Sequence, residues 1–337
     1  MRVSPLLRQI MLCLLLVCAL CLGWFVRDVQ LMKTGKAQYN TPVTATNSPL
    51  SPTSSLALSR FHSTLRTKIF ELTNGLRPGR GETIPNAQDV HDLPVQDVTF
   101  YNWRGILLSG WLSLQTPQAP IIILNHGTPG NRISMVRRAA FLYKHGYNTL
   151  LFDFQSYGRS QGSLSTLGMV ESEDILAAIV YIHSLPDAAH SKIGVLGLSM
   201  GATAAVLAAS RTNDIAALVA ESCPVDATRV TSDVPSEEIR DADQSLVEDE
   251  FGVDITQARP IDVVQKLAGH TPIFFINGNV DSVTPLAGMY TLYNAASDPK
   301  QYWVVSGAEH AASFAVDAAG YTKHVEAFFD TYLGVSS

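Results

Sequence analysis

From about Asp97 onward, short apolar runs alternate with stretches of helical period, and this alternation restricts the fold more than any other feature of the 337 residues. Val95–Tyr101 and Gly105–Leu114 flank the turn-forming Asn102-Trp103-Arg104 and predict an antiparallel hairpin. Ile121-Ile122-Ile123-Leu124 is a continuous apolar run, as expected of a strand covered on both faces. Strands at Thr149–Phe154, Ile193–Leu198, Ile215–Ala220, Pro272–Asn277 and Tyr302–Val305 then alternate with helices at Arg132–His145, Val170–Leu185, Met200–Arg211, after Pro285 and at Val316–Leu333. That order requires an α/β fold: a mostly parallel sheet with helices on both faces. Ligands of such sheets bind beyond the carboxyl ends of the strands, so the polar residues at those ends carry the functional question.

The Ile193 strand ends in Gly197-Leu198-Ser199-Met200-Gly201. A G-x-S-x-G pentapeptide is weak by itself, but between a strand and an Ala-rich helix it has the context of a nucleophile elbow. There a serine is pushed above the sheet on a strained turn, glycines relieve the crowding, and the helix N-terminus favours developing negative charge. Without any chemistry, the same residues are a helix N-cap serine between turn glycines. An activated serine needs a base, and the base needs an orienting acid. Asp281 follows the Pro272 strand in Asn277-Gly278-Asn279-Val280-Asp281, and His310 follows the Tyr302 strand in Gly307-Ala308-Glu309-His310. Asp226 is the fallback acid, whereas Glu309 and His324 read as surface residues. A developing oxyanion needs backbone donors. One is the N–H of Met200; the other is Thr128 in Asn125-His126-Gly127-Thr128-Pro129-Gly130, since Pro129 has no N–H. His126 and Gly127 are expected to border the substrate.

The Ser199, Asp281, His310 order, the His126-Gly127 loop and Tyr157-Gly158-Arg159-Ser160-Gln161-Gly162 together carry a resemblance. From about Asp97 to Leu333 the chain resembles serine α/β-hydrolases of the lysophospholipase, esterase and serine-aminopeptidase type, closest to the small membrane-anchored ones. Gln155-Ser156 stands where that group commonly has Arg-Gly, which affects the shape of one loop. The resemblance implies an α/β-hydrolase fold with a small cap inserted at about 226–265. It also implies hydrolysis of small-molecule or lipid esters through an acyl-enzyme, with no metal and no organic cofactor. A peptidase or thioesterase with the same triad stays open, as does a catalytically silent binding protein on this fold. A fluorophosphonate label separates the last from the others, because only an activated serine reacts. Serine at the elbow argues against aspartyl-nucleophile dehalogenases and epoxide hydrolases.

Residues 1–36 carry five basic residues and Asp28 alone, whereas the remainder holds 19 basic against 29 acidic residues. A body that acidic repels a phosphate backbone, which excludes nucleic acid as a partner. Gln9–Val26 is an uncharged, nearly all-apolar run of eighteen residues, about 27 Å as a helix and close to the hydrocarbon thickness. It is too long for a signal core, its cleavage triplets are mediocre, and neither Val17 before Cys18 nor Leu20 before Cys21 fits a lipoprotein signal. An uncleaved anchor over residues 1–36 is the expectation, with the catalytic domain extracytoplasmic; a cleaved signal and a secreted enzyme is the alternative. Basic residues on both sides of the run leave its orientation open. Residues 37–94 read as a Ser/Thr/Pro-rich stalk with a short amphipathic helix at Phe61–Leu72, and the catalytic domain is placed at 95–337. Only Cys223 lies in the body, so no disulfide framework exists there. Residues 226–250 hold nine acidic and two basic residues, a solvated face unless they border the entrance.

Overall fold

Eight strands form one sheet: β1 (Gln96–Tyr101), β2 (Leu107–Ser113), β3 (Ile121–Asn125), β4 (Asn148–Asp153), β5 (Ile193–Leu198), β6 (Ile215–Glu221), β7 (Ile273–Gly278) and β8 (Lys300–Val305). The computed structural model describes residues 80–90, 92–229 and 247–334. Strand order is β1-β2-β4-β3-β5-β6-β7-β8. β1 pairs with β2 and β2 with β4 antiparallel, and every later pairing is parallel. The expected hairpin therefore sits at one edge, and β5, which ends at Ser199, lies near the middle.

Strand side chains alternate between two cores, as the pleat requires. Ile121, Ile123, Leu150, Phe152, Ile193 and Val195 pack on one side against α2 (Glu171–Ser184) and α3 (Met200–Ala209). Ile122, Leu124, Leu151, Leu196 and Leu198 pack on the other against α1 (Val136–His145). Later helices among the described residues include α4 (Pro260–Val263), α5 (Leu286–Ala295) and α6 (Ser313–Val316). The closing helix, α7 (Ala318–Leu333), lays Tyr321, Val325, Phe328 and Phe329 on the same side as α1. Gly194 makes that close contact possible, because a Cβ there would reach within 3.0 Å of the Phe329 ring. The closing helix begins later than the periodicity predicts: Asp317 interrupts it and caps α7 by accepting from Gly320 N–H at 2.8 Å.

Described residues ahead of residue 95 are tied to the sheet domain that follows. Arg80 donates to the Gly158 and Ser160 carbonyls at 2.9 Å, and Asn131 Nδ2 donates to the Arg80 and Glu82 carbonyls at 3.0 and 2.7 Å. Ile84 and Leu93 are buried. This segment is held largely through its main chain, and composition does not register main-chain hydrogen bonds. Within the expected cap, residues 247–251 are helical and Val247 and Ile255 form a small core with Leu167, Phe251 and Val253. Arg104 in the hairpin turn ties this part down by donating to the Phe251 carbonyl at 2.7 Å while pairing with Glu173. Among the described residues no helix is long and apolar enough to cross a membrane. The expected anchor and the expected helix at Phe61–Leu72 lie outside the described residues.

Candidate active site

Ser199 leaves β5 with φ 53°, a left-handed conformation that costs a non-glycine residue energy, and α3 starts at the next residue. The turn depends on both glycines of the pentapeptide. A Cβ at Gly197 would overlap the Gly201 carbonyl, and one at Gly201 would overlap the main-chain oxygens of Asn125 and His126. The serine N–H donates to the Glu221 carbonyl of β6 at 2.9 Å.

Asp281 and His310 stand on the loops after β7 and β8. Gly278 lets these loops meet, since a Cβ there would overlap the Ala308 carbonyl, which accepts from Val280 N–H at 3.2 Å. Ser199 Oγ lies 2.9 Å from His310 Nε2. On the other side of the ring, Nδ1 lies 2.9 Å from Asp281 Oδ2 and 3.2 Å from Oδ1. The sequence separations are 111 and 29 residues, so three distant segments converge on one line of hydrogen bonds. Asp281 is 5% exposed and Ser199 7% exposed. Burial pushes the Asp281 carboxyl up, but hydrogen bonds from His310 and from the Thr284 N–H and hydroxyl outweigh it and hold the group below the usual carboxylate range. Asp226 instead pairs with Arg259 and accepts from the Thr228 hydroxyl. Glu309 is exposed, and His324 lies exposed against the Trp303 ring at 4.7 Å.

Met200 opens α3, so its N–H belongs to the first-turn donors that have no intrahelical acceptor. Gly127 brings the Thr128 loop against the nucleophile: a Cβ at Gly127 would lie 3.2 Å from both Ser199 Cβ and the Leu198 carbonyl. His126 is fully buried, its ring lies tilted against Phe154 and edge-on to Tyr157, its Nδ1 donates to the Gly127 carbonyl at 2.8 Å, and its Nε2 accepts from Phe154 N–H at 3.2 Å. Both ring nitrogens are used, and burial holds the imidazole pKa below its usual range by disfavouring the charged form. His126 shapes the loop, with its ring turned inward and buried.

A buried ionic cluster beneath these residues has no counterpart in the sequence reading. Arg138 of α1 donates from Nε to Glu221 Oε2 at 3.0 Å and from Nη2 to Oε1 at 2.9 Å, and the Tyr321 hydroxyl donates to Oε2 at 2.7 Å. Burial alone would lower the Arg138 pKa, but the Glu221 charge lifts it above its ordinary value. Arg138 Nη2 also reaches the Ala311 carbonyl at 3.4 Å, and Ser222 Oγ accepts from Ala311 N–H at 3.2 Å. Ser199, Ser222 and Ala311 all have positive φ, at 53°, 49° and 60°. One carboxylate-bearing residue thus supports the elbow through its carbonyl and, through Arg138, the loop of His310. The available signal was a glutamate closing an otherwise apolar strand; nothing in the sequence pointed to Arg138 or Tyr321 as its partners.

A parallel sheet with a serine elbow on a central strand and a His–Asp pair beyond two later strands defines the class of serine α/β-hydrolases. Comparison with known proteins agrees. Residues 156–336 match the model of the prolyl oligopeptidase family, and residues 36–235 match that of the X-Pro dipeptidyl-peptidase (S15) family. An uncharacterized Mycobacterium tuberculosis protein, Rv2307c, is 30% identical over 233 residues, covering 67% of this chain and 76% of that one. YqkD of Bacillus subtilis is 25% identical over 218 residues, 62% of this chain and 70% of the relative. The Pyrococcus furiosus esterase Pf2001 superposes with a TM-score of 0.63 at 25% identity, covering 76% of this chain and all of that one. PA2218 of Pseudomonas aeruginosa, at 22% identity and a TM-score of 0.60, shares the fold. The chain belongs to the serine α/β-hydrolase superfamily.

Proposed function

We propose that this hydrolase cleaves carboxylic esters through an acyl-enzyme on Ser199. His310 Nε2 takes the serine proton as Oγ attacks the carbonyl carbon, and the tetrahedral oxyanion is held by the N–H groups of Met200 and Thr128. Collapse expels the alcohol, which leaves with the proton from His310. Water then attacks the acyl-enzyme by the same route and releases the acid. Asp281 holds the ring with its proton on Nδ1 and stabilises the imidazolium. The observation that carries this reading is the continuous relay Ser199 Oγ–His310 Nε2 and His310 Nδ1–Asp281 Oδ2, each link 2.9 Å. The likeness to an esterase of known structure supports esters as the substrate class.

The test is fluorophosphonate labelling of Ser199 followed by a panel of chromogenic esters, thioesters and aminoacyl anilides. Labelling with ester turnover supports the proposal; labelling with turnover of anilides alone establishes the peptidase reading, which the two matched peptidase families favour. Failure to label refutes both. The eighteen-residue apolar run Gln9–Val26 supports a membrane tether, in which case the full chain stays with membranes through carbonate washes and leaves only with detergent. A native product starting near Leu22 or Trp24 by intact mass would instead mean a cleaved signal.

A further inference from the structure

Thr284 is a buried residue, 4% exposed, whose hydroxyl has no part in the chemistry above. Its Oγ1 lies 2.7 Å from Asp281 Oδ2 and 3.2 Å from His310 Nδ1. The backbone at this position is pinned twice: Thr284 N–H donates to Asp281 Oδ1 at 2.7 Å, and its carbonyl accepts Nδ2 of Asn277 at 3.0 Å. A β-branched side chain on so fixed a backbone has little choice of rotamer.

The proton inventory assigns the hydroxyl its direction. An ionised carboxylate only accepts, whereas a hydroxyl has one proton and two lone pairs. The Thr284 proton therefore goes to Asp281 Oδ2, and the hydroxyl lone pairs face the Nδ1 proton of His310. Oδ2 then receives His310 Nδ1–H and the Thr284 hydroxyl, while Oδ1 receives the N–H groups of Val283 and Thr284. Four donors leave the carboxylate one orientation. A proton on Nδ1 meets acceptors on both Asp281 and Thr284, which disfavours the tautomer with its proton on Nε2.

We propose that Thr284 is a positioning residue of the relay: its hydroxyl fixes the plane of the Asp281 carboxylate and keeps the His310 proton on Nδ1, leaving Nε2 to accept from Ser199. The inference rests on the Ser199–His310–Asp281 reading given above. It requires the hydroxyl itself, because a valine fills the same volume without a donor.

The experiment compares the full-length protein in detergent with Thr284→Val and Thr284→Ser. Loss of a hydrogen bond to a charged group predicts a kcat about tenfold lower in Thr284→Val, with KM changed by less than about twofold. Thr284→Ser should recover kcat to within about threefold of the parent. The low-field proton NMR signal of the His310 Nδ1–H should move in Thr284→Val and return in Thr284→Ser. A Thr284→Val protein with parental kcat and an unmoved signal overturns the proposal, as does a serine variant as impaired as the valine one. Failure of the hydrolase reading would show separately, as a parent protein that neither turns over an ester nor labels with fluorophosphonate. The NMR signal would still decide whether Thr284 holds the imidazole proton.

Discussion

The most demanding test of the packing beneath the site is to break the Arg138–Glu221 pair and then remove both charges. Their side chains are 7% and 0% exposed, so neither recovers water when its partner is lost. Arg138→Met leaves the Glu221 carboxylate with the Tyr321 hydroxyl, at 2.7 Å, as its remaining donor from this cluster. Orphaning a buried charge costs about 3–5 kcal/mol, roughly 6–10 °C in Tm for a domain of this size. The double variant Arg138→Met, Glu221→Gln removes the uncompensated charge and should regain about half of that loss or more. Melting followed by circular dichroism at neutral pH measures the first effect. The fluorophosphonate labelling rate measures a second, because both proteins lose the contact to the Ala311 carbonyl and should label more slowly than the parent. If the double variant melts at the temperature expected from adding two independent losses, the pair is not coupled and the argument fails.

Ser199→Ala and His310→Ala should each lower kcat by about 10⁴–10⁶ with little change in melting; residual full turnover in pure Ser199→Ala protein would remove the serine from the chemistry. Gly201→Ala, which forces a Cβ into the main chain of Asn125 and His126, should cost about 1–3 kcal/mol and most of the activity; a stable, active variant would mean that the elbow is looser than described. The depressed Asp281 carboxyl contributes stability that is full above its unfolded value near 4 and is lost as pH falls through the lower folded value. The stability difference between the parent and Asp281→Asn should therefore narrow in acid, and a gap that widens on acidification contradicts the assignment. Nine acidic residues in 226–250 predict that neutral esters are cleaved faster than anionic ones of equal length, with added salt closing the gap; an anionic preference at low salt places that face away from the entrance.

The parts legible in the sequence were those whose physics is local. Ile121–Leu124 reads as a buried strand because four consecutive apolar residues have no solvent face to offer, and it is β3, with every residue buried. Gly197 is needed because its Cβ would meet the Gly201 carbonyl four residues on, so this half of the elbow is written in one pentapeptide, whereas Gly201 makes room for the distant main chain of Asn125 and His126. Strand ends located Asp281 and His310 to within a loop. The contacts that position them are another matter. Arg138 reaches Glu221 across 83 residues and Tyr321 across 183, and no periodicity connects such partners. The orientation of His126 is not legible in the sequence, because a His-Gly pair looks the same whether the ring faces a ligand or turns inward onto Phe154 N–H. Thr284 escaped notice because an isolated hydroxyl has no sequence signature; only its distances to Asp281 and His310 distinguish it.

The order in which the sheet is strung has a consequence for biosynthesis. Ser199 emerges from the ribosome 111 residues before His310, and α7, whose Phe328 and Phe329 cover the middle of the sheet, emerges later than both. A nascent chain thus carries Ser199 without His310, and an apolar sheet face without its cover, until those later segments have been made. A messenger truncated before residue 318 yields a product with that face exposed to chaperones and proteases. Labelling of Ser199 would therefore report that the chain has been made at least through His310.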